Sequence, residues 1–149
     1  MFSRCLALFA VIILFTFPRV GFGERDFGLG ILMGQPSGLR TAFSIQKSLH
    51  IDCAAAWSWD DWLLVFADCQ FEDYISPWSL NWRWYYGLGA YAGIPETRQG
   101  IFGLRIPLGV SYQVPYTSLE VFGEVVPALR LVPDTQAQLQ GGVGFLVWF

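Results

Sequence analysis

The stretch Gln138-Leu-Gln-Gly-Gly-Val-Gly-Phe-Leu-Val-Trp-Phe149 decides how the chain is read. Every second residue back from Phe149 is Val147, Phe145, Val143, Gly141 and Leu139; between them stand Trp148, Leu146, Gly144, Gly142, Gln140 and Gln138. One set is apolar and the other small or polar. That period of two belongs to a β-strand, whose successive side chains point to opposite faces. A strand with an unpaired edge is a template for aggregation. Closing the sheet removes the edge, and closure is obligatory in lipid, where no water satisfies a free N–H or C=O.

The same alternation recurs upstream. Eight segments are expected, each ending at turn-forming residues: 27–34, 39–46, 51–58, 63–71, 80–92, 101–112, 119–131 and the C-terminal strand. Lys47 to His50 and the Asp60-Asp61 pair fall in turns, and residues 72–79 form the longest connection. Eight is the smallest usual strand number for a membrane barrel. The fold class expected is all-β, an eight-stranded antiparallel up-and-down transmembrane β-barrel.

The faces separate. Phe27, Leu29, Ile31 and Met33, then Phe43, Ile45, Ile51, Leu63, Val65, Trp82, Trp84, Tyr86, Leu104, Ile106, Val121 and Val125 lie on one side without a charge among them. The other side carries Arg40, Asp52, Asp68, Arg83, Arg105, Glu120, Glu124 and Arg130. An eight-stranded barrel is only wide enough for side chains to fill it, so these charges are expected to pair as an interior salt-bridge network. Inner glycines such as Gly28, Gly30, Gly87, Gly89, Gly142 and Gly144 leave room for long Arg and Tyr side chains. A static polar core and a narrow ion pathway both fit this pattern.

The amino end reads as an export signal. Arg4 precedes an apolar run from Leu6 to Phe17, Pro18 breaks it, and Gly21-Phe-Gly23 offers small residues for cleavage. At about 12 residues the run is short for a transmembrane helix and suits a secretory signal, a retained anchor being the alternative. The division expected is residues 1–23 as signal peptide and 24–149 as one barrel domain. The mature part keeps seven basic and twelve acidic residues. An acidic chain without a Lys/Arg cluster argues against a nucleic-acid partner. A composition 54% hydrophobic and 17% aromatic leaves little charge to cover a soluble surface, whereas a barrel turned apolar side out needs little.

Catalytic chemistry finds little footing. His50 is the sole histidine, Asp60-Asp61 reads as a solvated turn, and the glycine pairs at Gly28 and Gly87 lie within strands with no helix following. No metal-ligand spacing and no cofactor motif is present. The expectation is a protein that is not an enzyme and carries no cofactor. Cys53 and Cys69 fall on the outward face of consecutive strands, and a hairpin centred near Asp61 would set them opposite each other. A cross-strand disulfide and two lipid-facing thiols are both open readings. Trp57, Trp59 and Trp62 gather at one rim; Tyr74, Trp78, Trp82, Tyr112, Tyr116, Trp148 and Phe149 gather at the other, as two interfacial girdles would.

The stretches Phe27-Gly-Leu-Gly-Ile-Leu-Met-Gly-Gln-Pro-Ser-Gly38, Arg105-Ile-Pro-Leu-Gly-Val-Ser-Tyr112, and Leu131-Val-Pro-Asp-Thr135 through Gly141-Gly-Val-Gly144 to Phe149 resemble the small eight-stranded outer-membrane β-barrels. That group is typified by the transmembrane domain of outer-membrane protein A, and the chain looks most like such barrels from spirochaetes. The resemblance implies location in the cell outer membrane and contact with its lipid bilayer. It further implies that Phe145, Val147 and Phe149 form the signal read by the outer-membrane assembly machinery. Members serve as structural anchors, as surface proteins meeting a host or other surface partner, or as narrow channels, and a monomer is the expected state. The expected outer loops are short, which weakens an adhesive role. An inverted, soluble lipocalin-like barrel with the apolar set lining a ligand cavity is the remaining alternative.

Overall fold

The computed structural model describes residues 26–57, 61–95 and 99–149, without the side chains of residues 61, 62 and 95. The expected signal peptide, Trp59, Asp60 and the side chain of Trp62 lie outside the described residues. The described chain is all-β: β1 (Phe27–Gln35), β2 (Ser37–Gln46), β3 (Leu49–Trp57), β4 (Asp61–Ser76), β5 (Ser79–Pro95), β6 (Ile101–Arg105), β7 (Leu108–Gln113), β8 (Leu119–Val132) and β9 (Gln136–Trp148). Every pairing is antiparallel, and β1 joins both β2 and β9, so the single sheet closes on itself as a ring.

Nine strands stand where the alternation predicts eight. The segment 101–112 is divided at Ile106-Pro107, and its two pieces, β6 and β7, lie end to end between β5 and β8. Proline has no N–H to give to a ladder, which interrupts the strand there. The backbone still tracks its neighbours across the break. Ile106 N–H donates to the Pro127 carbonyl at 2.9 Å, and Gly87 N–H donates to the Pro107 carbonyl at the same distance.

A second difference concerns residues 72–79, expected as a loop. β4 and β5 run on through it, pairing Asp73 with Trp84 and Ser76 with Ser79, so that only Pro77 and Trp78 turn the chain. The hairpin therefore projects past Leu49, where β3 starts opposite Phe71. Glu72, Ser76 and Pro77 read as turn formers, yet the period of two carries through Glu72.

The faces fall as the alternation indicates. Outward residues include Val65 at 47%, Leu88 at 61% and Val125 at 54% exposure, while Arg40, Asp52, Asp68, Arg105, Glu120 and Glu124 are buried within the ring. Between the rims no charged side chain stands on the outward face among the described residues; Asp73 comes only in the β4–β5 extension. The apolar set thus lies outside, opposite to an inverted barrel with an apolar cavity.

Candidate functional site: the charged interior of the ring

Six strands send side chains to one central cluster. Arg40 on β2 donates from Nε to Asp52 on β3 at 2.8 Å and pairs with the same carboxylate through Nη2. Its Nη1 reaches across the interior to Glu124 on β8, also at 2.8 Å. Glu124 further accepts the Tyr85 hydroxyl from β5 at 2.9 Å and lies 3.5 Å from Nη2 of Arg105 on β6. Arg105 Nε stands 3.1 Å from Asp68 on β4, an ion pair by distance without hydrogen-bond alignment. The guanidinium planes rest on aromatic faces, Arg40 over Phe122 at 4.2 Å and Arg105 over Phe66 at 3.6 Å. An isolated buried ion costs several kcal/mol even after relaxation, and pairing with added hydrogen bonds offsets that cost.

Small residues make the space. A Cβ at Gly103 would lie 2.6 Å from the Tyr91 ring, and one at Gly109 would overlap the Tyr85 ring. Of the inner glycines named from sequence, Gly28 makes room for Trp148, Gly89 for Asp68 and Gly144 for Phe122. Gly30, Gly87 and Gly142 instead let neighbouring backbone approach closely.

A second cluster lies toward the rim where Asp26 and Phe149 stand, here the terminal rim. Glu72 Oε1 meets His50 Nε2 at 2.9 Å and Arg83 Nη1 at 2.7 Å. Glu120 accepts the indole N–H of Trp148 at 3.0 Å, and the Trp148 ring meets His50 edge-on at 5.7 Å. Between the two clusters is a void of about 20 Å³, bordered by Arg40, His50, Asp52, Gln70, Glu72 and Glu120 among others, with room for about one water. Toward the opposite rim the interior turns apolar, with Leu32, Leu64, Phe66, Ile101 and Val126 buried.

Several expectations change. His50 is not in a turn but buried on the inner face of β3, and Glu72 joins it. The inner charges are therefore not four against four; a fifth acid, Glu72, enters with His50 beside it. Arg130 is half-buried near the opposite rim and makes no ion pair among the described residues. Trp148 points inward instead of joining a rim girdle, because it occupies the inner parity of β9 and finds an acceptor in Glu120. Cys53 faces Ala67 and Cys69 faces Ile51, so the thiols are offset by two residues and both are free. The β3–β4 register differs by two residues from the one expected, which moves the two cysteines out of opposition. Phe145 and Val147 face outward opposite Ile31 and Leu29, while Phe149 stacks on Phe27 at 6.3 Å between ring centroids.

Glu72 was detectable from sequence, since it continues the inner series Leu64, Phe66, Asp68, Gln70. Tyr85 has the same kind of signal on β5. Comparison with family models, curated proteins and solved structures found no match.

Proposed function

We propose that the chain is an integral outer-membrane β-barrel of eight staves, β6 and β7 making one stave interrupted at Pro107. Its role in this reading is structural or surface-interacting, without catalysis, and its immediate partner is the lipid bilayer. The observation that carries the reading is the distribution of charge on a closed ring. Outward strand positions between the rims are uncharged and largely apolar, while the charged residues of the strand centres pair inside. A water-soluble protein of this size would expose far more apolar surface than the few hundred Å² usual for a monomer. In lipid the same surface is solvated by acyl chains, and the closed ladder leaves no backbone edge within the hydrocarbon.

The test is membrane fractionation of the expressed chain together with refolding into detergent. Recovery with the outer membrane and a fold that requires detergent are the results expected. A narrow pore is the second reading, raised by the void beside Arg40 and Asp52. Against it stand the Arg40–Glu124 bridge across the interior and the apolar packing beyond it. The refolded chain should give no steady single-channel current in planar bilayers, and a current altered in Glu124→Ala would favour the pore.

A further inference from the structure

The outward rings at the terminal rim form two unlike arcs. Over β9, β1 and β2 stand Phe149, Phe27 and Phe43, none with a polar atom, their centroids 6.3 and 5.2 Å apart. Across the ring, over β4, β5 and β7, stand Phe71, Trp82, Trp84, Tyr86 and Tyr112, and the last four carry an N–H or O–H. Indole and phenol rings suit the headgroup level, whereas phenyl rings suit hydrocarbon. The opposite rim is uneven too. β1 ends at Gln35, while β5 runs on to Pro95 and β9 starts as far up as Gln136.

Ladder register sets these features on one scale of height. A circuit at right angles to the strands runs from Leu29 through Cys53, Ala90 and Leu129 to Ala137. The β9–β1 register, Gln35 with Gly141, returns it to position 39, ten residues beyond its start. The circuit therefore climbs away from the terminal rim by ten residues over eight staves. Strands tilted by about 40° gain about 2.5 Å of height per residue. With Phe27 at zero, Phe43 and Trp84 are level at about 3 Å, Tyr86 is at about 8 Å and Gln35 at about 20 Å. Leu104 and Leu139 are level at about 21–22 Å, and the exposed Phe102 and Ile94 reach about 26–28 Å.

No upright apolar band about 25 Å tall fits these heights. A band that takes in Phe102 and Ile94 also takes in Ala137 and Leu139, which lie above the end of β1 and pair only with β8 among the described residues. The Pro127 carbonyl accepts Ile106 N–H on the side away from β9, so Leu139 opposite it turns its own N–H and C=O toward the gap above β1. Hydrocarbon does not tolerate such free groups. A band that stops at the end of β1 instead leaves Phe102 and Ile94 in water and sinks Trp84 and Tyr86 among the acyl chains.

We infer that the barrel stands tilted in the bilayer, its lipid-covered belt running obliquely, low over β9, β1 and β2 and high over β4, β5 and β6. The belt ends about 8 Å lower over β1 than over β5 on a ring about 16 Å across, a tilt of about 25°. The Phe arc then lies in hydrocarbon and the Trp and Tyr arc at the headgroups. Residues 136–140 of β9 enter the headgroup layer, where water and phosphate oxygens satisfy the free groups. The inference rests on the membrane reading and adds which part of the ring the acyl chains cover.

The test is spin-label depth measurement on the full chain, its three cysteines replaced by alanine, refolded into phosphatidylcholine vesicles. Labels are attached in Phe43→Cys, Trp84→Cys, Leu104→Cys and Leu139→Cys, all at exposed outward positions. Collision with oxygen and with a water-soluble nickel complex reports the depth of each. Phe43 should lie about 6 Å deeper than Trp84, and Leu104 about 6 Å deeper than Leu139, although each pair is level in the ring. The mobility of the unboiled sample on a gel shows that a variant has formed the barrel, and either pair decides by itself. Equal depths within a pair overturn the tilt and leave the membrane reading standing. Full nickel access at all four sites overturns both.

Discussion

Glu124 is the acid on which both central arginines converge, with Arg40 at 2.8 Å and Arg105 at 3.5 Å. Removing it leaves Arg105 with only the poorly aligned Asp68 and strips Tyr85 of its acceptor. Glu124→Ala should therefore lower the unfolding free energy by about 3–5 kcal/mol, read from urea titration in lipid vesicles. A loss below about 1 kcal/mol would mean that the pairs contribute little. Trp148→Phe deletes one donor to Glu120 and trims the buried indole to a single ring without removing a charge, so its loss should be smaller, about 1–3 kcal/mol. The ranking of the two variants separates a charge network from simple filling.

At the scale of the element, register makes the sharper predictions. The β3–β4 ladder sets Cys53 against Ala67 and Cys69 against Ile51, so mild oxidation of the folded chain should leave both thiols free for alkylation. An intramolecular disulfide on a mass spectrum would require the β3–β4 pairing to slip by two residues. The outward face is tested at Val65, which is 47% exposed. Val65→Arg should cost about 2–4 kcal/mol in a bilayer, and Leu131→Arg, near the rim, no more than about 1 kcal/mol. In a water-soluble protein both exposed sites would tolerate arginine.

Strand parity was legible because a one-residue slip would turn every side chain to the wrong face. Hence Val65 and Leu104 fall outside, and Arg40 and Arg105 inside, as the alternation indicates. Element ends were less legible. Polar and turn-forming residues around Lys47 to His50 and Glu72 to Pro77 imitate loops, yet only Lys47-Ser48 and Pro77-Trp78 turn the chain, and the strands on either side carry His50 and Glu72 to the inner face. Pro107 was visible as a residue but not as a break, since its flanks keep the period of two. The partners inside were not legible at all. Parity places Arg40 inward, but the Glu124 contact depends on which strands face each other across the closed ring.

For the whole molecule, the central claim is that this ring is closed and turned apolar side out for lipid. The central cluster ties β2, β3, β4, β5, β6 and β8 together, so loss of the ring should be cooperative, with β-structure and tryptophan fluorescence changing together. The most direct measurement is electrophoresis of the chain refolded into lipid vesicles, comparing unboiled with boiled samples. A closed barrel solvated by lipid should show two mobilities: a compact, lipid-requiring form that persists until boiling, and the unfolded chain after it. One mobility in both samples, with the same chain folded and monomeric in buffer without lipid or detergent, would contradict it.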